Sequence, residues 1–159
     1  MEGKIVYTRD GMRIVHWRNV QIIHYAVTPT MEHIKRTEDY SRSLLIRYPA
    51  GILGMVLVSP AVGVPPSDVR AASTETMKTL GAKVVRLVVI SEHAQSSILA
   101  RTAITLVRAI NVLVKSKSMY LYTNVLEGAR SFGSALDGDP SALAAEVEAS
   151  RPVVQAAVA

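Results

Sequence analysis

Ile52-Leu53-Gly54-Met55-Val56-Leu57-Val58 and Val84-Val85-Arg86-Leu87-Val88-Val89-Ile90 are two apolar runs with almost no polar alternation. Strands of this kind must be covered on both faces, as the central strands of a parallel sheet flanked by helices are. Segments of helical pattern fall before, between and after the two runs, and this repeated order predicts a small α/β domain.

Upstream, residues 4–8 read as a first strand and Arg9-Asp10-Gly11 as a tight turn in which Gly11 supplies a positive φ. Residues 12–17 form the return strand, Arg18-Asn19 a second turn, and residues 20–27 a third strand rich in Val, Ile and Tyr. Thr28-Pro29-Thr30 offers an N-cap hydroxyl and a proline suited to a first helical turn. The helix it starts is expected to reach about Tyr48, with Ile34, Leu44, Leu45 and Tyr48 as a partial apolar stripe, before Pro49 and Gly51 stop it.

Downstream of Val58, a rigid loop, Ser59-Pro60-Ala61-Val62-Gly63-Val64-Pro65-Pro66, leads to Ser67 as the expected N-cap of a short helix. Val69, Ala72, Thr76 and Leu80 share one face of it, and Gly81 is placed for a left-handed C-terminal cap. After the second run come a polar connection over 91–97, a long helix over about 97–115 and a last strand over 119–122. Leu126, Ala129, Phe132, Gly133 and Leu136 are spaced for a closing amphipathic helix over 126–136. Residues 137–159, Ala-rich with Pro140 and Pro152, read as a loosely attached tail, partly helical or disordered. The expectation is one α/β domain over 1–136 with that tail. Its sheet is mixed: an antiparallel N-terminal hairpin joins a largely parallel core, and helices pack on it.

The chain has 159 residues, enough to bury roughly two thirds of the surface its unfolded form exposes. It has no Cys, so neither disulfides nor thiolate zinc sites enter. No secretory signal is read at the N-terminus, and no apolar stretch reaches the roughly 18 residues that span a bilayer. A bacterial-type, cytoplasmic location is the expectation. The net charge of +5 is uneven: in residues 127–159 five acids face Arg130 and Arg151, giving −3, so residues 1–126 hold +8. These basic residues are interleaved with acids or spread along the hairpin, and no nucleic-acid motif accompanies them, which argues against a nucleic-acid partner.

The order of elements, together with the closing stretch YLYTNVLEGARSFGSAL over residues 120–136, resembles the SpoIIAA-like branch of the STAS domains, the anti-sigma-factor-antagonist fold that includes STAS/SEC14-like proteins. The resemblance covers residues 4–136. It implies a non-enzymatic binding domain without a cofactor: a protein-interaction or regulatory signalling module, or, in the SEC14-like branch, a module for a hydrophobic ligand or a membrane. Signalling members carry a phosphorylatable Ser or Thr in an Asp-Ser-Ser-Gly-like run at the start of the helix after a central strand. Residues 58–68 lack that run. Ser67 alone stands at a helix start that would favour an added phosphate, and is the candidate phosphoacceptor, although capping by itself accounts for a Ser there.

Two further candidate surfaces follow. The loop ends beyond the central strands offer Ser59, Val62, Val64, Ser91, Glu92 and His93, on the side where α/β sheets bind their partners. Along the long helix, Arg101, Thr105, Arg108, Asn111 and Lys115 form a narrow polar strip, while apolar residues cover roughly 180° of the circumference, more than one sheet needs. Ile104 and Val112, at the edges of that face, are candidates for homodimer or partner contact, and Arg101, Arg108 and Lys115 for an anionic membrane. Ser59, Ser91, Glu92 and His93 are also the residue types of a nucleophile, an orienting acid and a base, but no nucleophile elbow accompanies them and neighbours in one loop rarely aim at one atom. His16 and His24, on adjacent strands, invite a metal hypothesis that lacks a third ligand. They are read instead as strand residues with exposed polar tips, and His33 as solvent-facing. The expectation is a binding protein with no catalytic or metal-ligating residue.

Overall fold

Three antiparallel strands lead into three parallel ones in a single six-stranded sheet of order β1-β2-β3-β4-β5-β6. The computed structural model describes residues 2–91 and 119–152. Strands β1 (Lys4–Arg9), β2 (Met12–Trp17) and β3 (Val20–Tyr25) form an antiparallel meander. Strands β4 (Ile52–Val58), β5 (Val84–Ile90) and β6 (Met119–Tyr122) extend it in parallel from β3. The expected α/β architecture with a mixed sheet is therefore present. Asp10 and Gly11 both take positive φ (49° and 76°), the two-residue turn whose twist suits a hairpin.

Register fixes which side chains share a face, because period-two alternation carries across paired residues. One face carries Val15, Trp17, Ile22, Leu53, Met55, Leu57, Val88 and Ile90. It packs against Val125 and Ala129 of α3 (Val125–Arg130), against Phe132 and Leu136, and against Leu143 and Val147 of α4 (Pro140–Ala149). The opposite face meets α1 (Met31–Arg47) and α2 (Ser67–Leu80): Leu44, Met77 and Leu80 pack on Ile52 and Val84, while Tyr40 packs on the Met12, Ile14, Ile23 and Tyr25 cluster.

Several expectations are corrected here. Residues 140–149 are no loose tail: Leu143 and Val147 of α4 are 0% exposed in the main core. The segment is held at both ends. Asn19 donates to the Ala135 carbonyl (2.8 Å) and accepts from the Asp137 N–H (3.0 Å), and Arg13 donates to the carbonyls of Ser150 and Arg151. The expected helix over 126–136 is two pieces, since α3 ends at Arg130 and a 3-10 turn spans Gly133–Ala135, with Gly133 at φ 56° breaking the helical path.

The histidines are also corrected. His33, at the third position of α1, is 2% exposed. It closes a capping box in which Thr30 Oγ1 accepts its N–H and its Nδ1 accepts the Thr30 N–H, each at 3.3 Å. His16 and His24 are buried and lie on opposite faces, because His16 is paired with Gln21 while His24 is paired with Arg13, three residues from His16. They cannot share a metal. The long helix expected over 97–115 lies outside the described residues.

Candidate ligand cavity

Between the α1/α2 face of the sheet and those two helices lies a cavity of about 460 Å³, inside the roughly 300–1,000 Å³ typical of small-molecule sites. Its floor is one alternating set from neighbouring strands: Gln21, Ile23 and Tyr25 of β3, Gly54, Val56 and Val58 of β4, Leu87 and Val89 of β5, and Met119 of β6. One wall is Ile34, Thr37 and Ser41 of α1, and the other is Val69, Arg70, Ser73, Thr76, Met77 and Leu80 of α2, spaced for one helical face. Ser59, Pro60 and Val62–Pro65 of the β4–α2 loop line one end.

The cover predicted for β4 and β5 is therefore unequal. Leu53, Met55, Val88 and Ile90 are buried against α3 and α4, whereas Val56, Val58, Leu87 and Val89 are only partly buried on the cavity side. Gly54 carries no side chain, and the Leu87 side chain lies over the β4 backbone at that point of the floor.

The polar groups along the α1 wall are engaged with one another. Gln21 Nε2 donates to Ser41 Oγ (2.9 Å) and to the Thr37 carbonyl (3.2 Å), and Ser41 Oγ donates to that same carbonyl at 2.8 Å. Gln21 Oε1 is left as an acceptor, so the His16 Nε2–H donates to it at 3.1 Å. Tyr25 Oη lies 3.3 Å from Thr37 Oγ1, and Thr76 Oγ1 donates to Glu38 Oε2 at 3.0 Å across the helix pair. Burial pushes the His16 imidazole below its usual pKa, with Arg47 and Lys4 adding to this against the Gln21 bond, and burial pushes the Tyr25 phenol up. With its polar groups paired to one another, this wall offers the cavity no charged side chain among the described residues.

Four of the residues expected at an interaction surface are brought together: Ser59, Val62, Val64 and Ser91 all line the cavity. Ser67 is not among them. It is exposed and is the first helical residue of α2, while Pro66, with extended backbone (φ −53°, ψ 158°), occupies the N-cap without a side-chain bond. The capping role expected for Ser67 is thus corrected, because a cap must stand outside the helical dihedrals. Glu92, His93, Arg101, Ile104, Arg108 and Val112 lie outside the described residues.

Sequence reasoning missed Gly54, Gln21, Thr37, Ser41, Arg70 and Ser73. The available signal was a glycine inside an otherwise unbroken apolar strand and a glutamine inside the run VQIIHY. Among the described residues no three His, Asp or Glu side chains are grouped to hold a metal ion, and no helix is long and apolar enough to cross a membrane. No family model matches the chain, and neither a curated protein nor a solved structure does.

Proposed function

We propose that this protein is a non-enzymatic binding module that encloses a hydrophobic small molecule between its sheet and the α1/α2 pair, in the manner of the SEC14-like branch of the STAS resemblance. One observation carries the reading: a 460 Å³ cavity floored by Ile23, Gly54, Val56, Leu87 and Val89, with the hydrogen-bonding groups of Gln21, Thr37 and Ser41 already engaged. Such a space favours an apolar guest, since burying a polar one without partners costs roughly 1–3 kcal/mol per group. Ser59, Val62, Val64 and Ser91, expected at a docking edge for a regulatory protein partner, line this cavity, which moves the weight from a flat protein contact to an enclosed ligand.

The test is a titration with the uncharged fluorophore N-phenyl-1-naphthylamine, comparing the protein with its Val56→Phe variant. The expected result is a saturable rise in fluorescence near one equivalent, weakened about tenfold or more by Val56→Phe, whose ring takes up cavity volume, at unchanged circular dichroism. Absence of saturable enhancement, or equal binding by a folded Val56→Phe variant, would reject the reading.

A further inference from the structure

A single charged side chain stands among the described residues of the cavity lining, and no acidic one does. It is Arg70, in the first turn of α2, half-buried at the end where the β4–α2 loop closes the cavity. Its Nη1 donates to the Pro65 carbonyl at 2.8 Å, which holds the guanidinium beside Val62–Pro65 of the lining. None of the ion pairs among the described residues involves it. By contrast, Glu38 of α1, which reaches across to Thr76 of α2, is engaged by Arg42 and Thr76 and is absent from the lining.

We propose that the ligand is a monoanionic amphiphile of the long-chain monocarboxylate class, its apolar body on the floor of Ile23, Val56, Leu87 and Val89 and its carboxylate paired with Arg70. This rests on the cavity being a ligand site. The charge balance among the described residues selects the class: the one guanidinium of that lining, without a carboxylate partner there, matches one negative charge, and a planar guanidinium offers two parallel N–H donors to a carboxylate. A dianionic head would retain an unmatched charge beside the low-polarity lining, and a cationic head would meet repulsion.

The experiment is displacement of N-phenyl-1-naphthylamine by dodecanoate and by 1-dodecanol at pH 8, with the protein, Arg70→Met and Arg70→Lys. Thermal melts verify that the variants remain folded without the Arg70 to Pro65 bond. The expected result is that dodecanoate binds about tenfold or more tightly than 1-dodecanol, that Arg70→Met removes this preference while leaving 1-dodecanol unchanged, and that Arg70→Lys restores part of it. Equal affinity for the two in the unmodified protein, displacement by neither, or a preference that survives in Arg70→Met, would overturn the carboxylate assignment while the hydrophobic site stands. Failure of the fluorophore itself to bind would overturn the site and the assignment together.

Discussion

Leu87 on β5 stands over Gly54 on β4 so closely that a β-carbon at position 54 would lie 2.4 Å from Leu87 Cδ1. Both residues line the cavity, so the end of the Leu87 side chain has empty space above the sheet into which it can turn. Gly54→Ala is therefore expected to fold, because the overpacking cost of roughly 1–3 kcal/mol is relieved by rotation of a side chain end into the cavity. The removal of glycine's unfolded-state freedom, worth about 0.4–1 kcal/mol, works in the variant's favour. Urea unfolding should find a stability within about 1.5 kcal/mol of the parent, while fluorophore affinity falls. Unchanged affinity would separate Gly54 from the site.

The helix α4 is expected to be indispensable. Leu143 is fully buried beside Val15, Trp17 and Val147, so Leu143→Ala should cost about 2–5 kcal/mol. Ending the chain at residue 138 should leave the Trp17 face uncovered and abolish cooperative unfolding. A truncated chain with the parent's melting transition would contradict the role given to α4.

Acidification should destabilise the fold through His24. Burial, together with Arg151 and Arg13 nearby and against the pull of Glu148, lowers its pKa from 6.5 to about 4. Its Nε2–H donates to Ser150 Oγ at 3.1 Å, whose own proton goes to the Val147 carbonyl. Since the unfolded chain binds a proton between pH 6.5 and 4 that the folded chain rejects, stability is full above pH 6.5 and falls as pH drops toward 4. The loss attributable to this one imidazole is on the order of 3 kcal/mol. Urea midpoints measured at pH 7 and pH 4.5 should show a smaller drop in His24→Gln than in the parent, and equal drops would dismiss His24 as the cause.

The mixed sheet, the strand positions and the first two helices were legible because the runs at 52–58 and 84–90 and the turn at Asp10-Gly11 carry their structure locally. The burial of His16 and His24 on opposite faces was also within reach. A two-residue turn at Arg18-Asn19 pairs Trp17 with Val20, and counting back from that pair sets His24 against Arg13. By contrast, α4 was hidden by composition. The Ala-rich stretch suggests a few helical turns but not their burial, while Pro140 occupies the first turn behind the Asp139 cap, which accepts the Ala142 N–H at 2.9 Å. The partial stripe on α1 has a similar cause: its inward positions include His33, which pairs with Thr30, and Thr37 and Ser41, which satisfy Gln21, Tyr25 and each other. The cavity was the least legible feature, because its volume depends on the spacing of sheet, α1 and α2, and no sequence period encodes that.

Glu146 presents a buried carboxylate oxygen, Oε1, without a hydrogen-bond partner, while Oε2 accepts the Glu2 N–H at 2.7 Å. An unmet buried acceptor costs roughly 1–3 kcal/mol, more than one net hydrogen bond returns. Glu146→Met, similar in length and apolar, is expected to leave stability unchanged or raise it by about 1 kcal/mol. A loss above about 2 kcal/mol by chemical unfolding would assign the carboxylate a stabilising role.

The central claim, an occupied hydrophobic cavity, is tested most directly by native mass spectrometry of the protein purified gently from its own host. The account predicts one small-molecule adduct per chain, recovered by organic extraction as a monocarboxylate and absent from the Val56→Phe variant. A protein that carries no adduct and gains none when offered dodecanoate would contradict it.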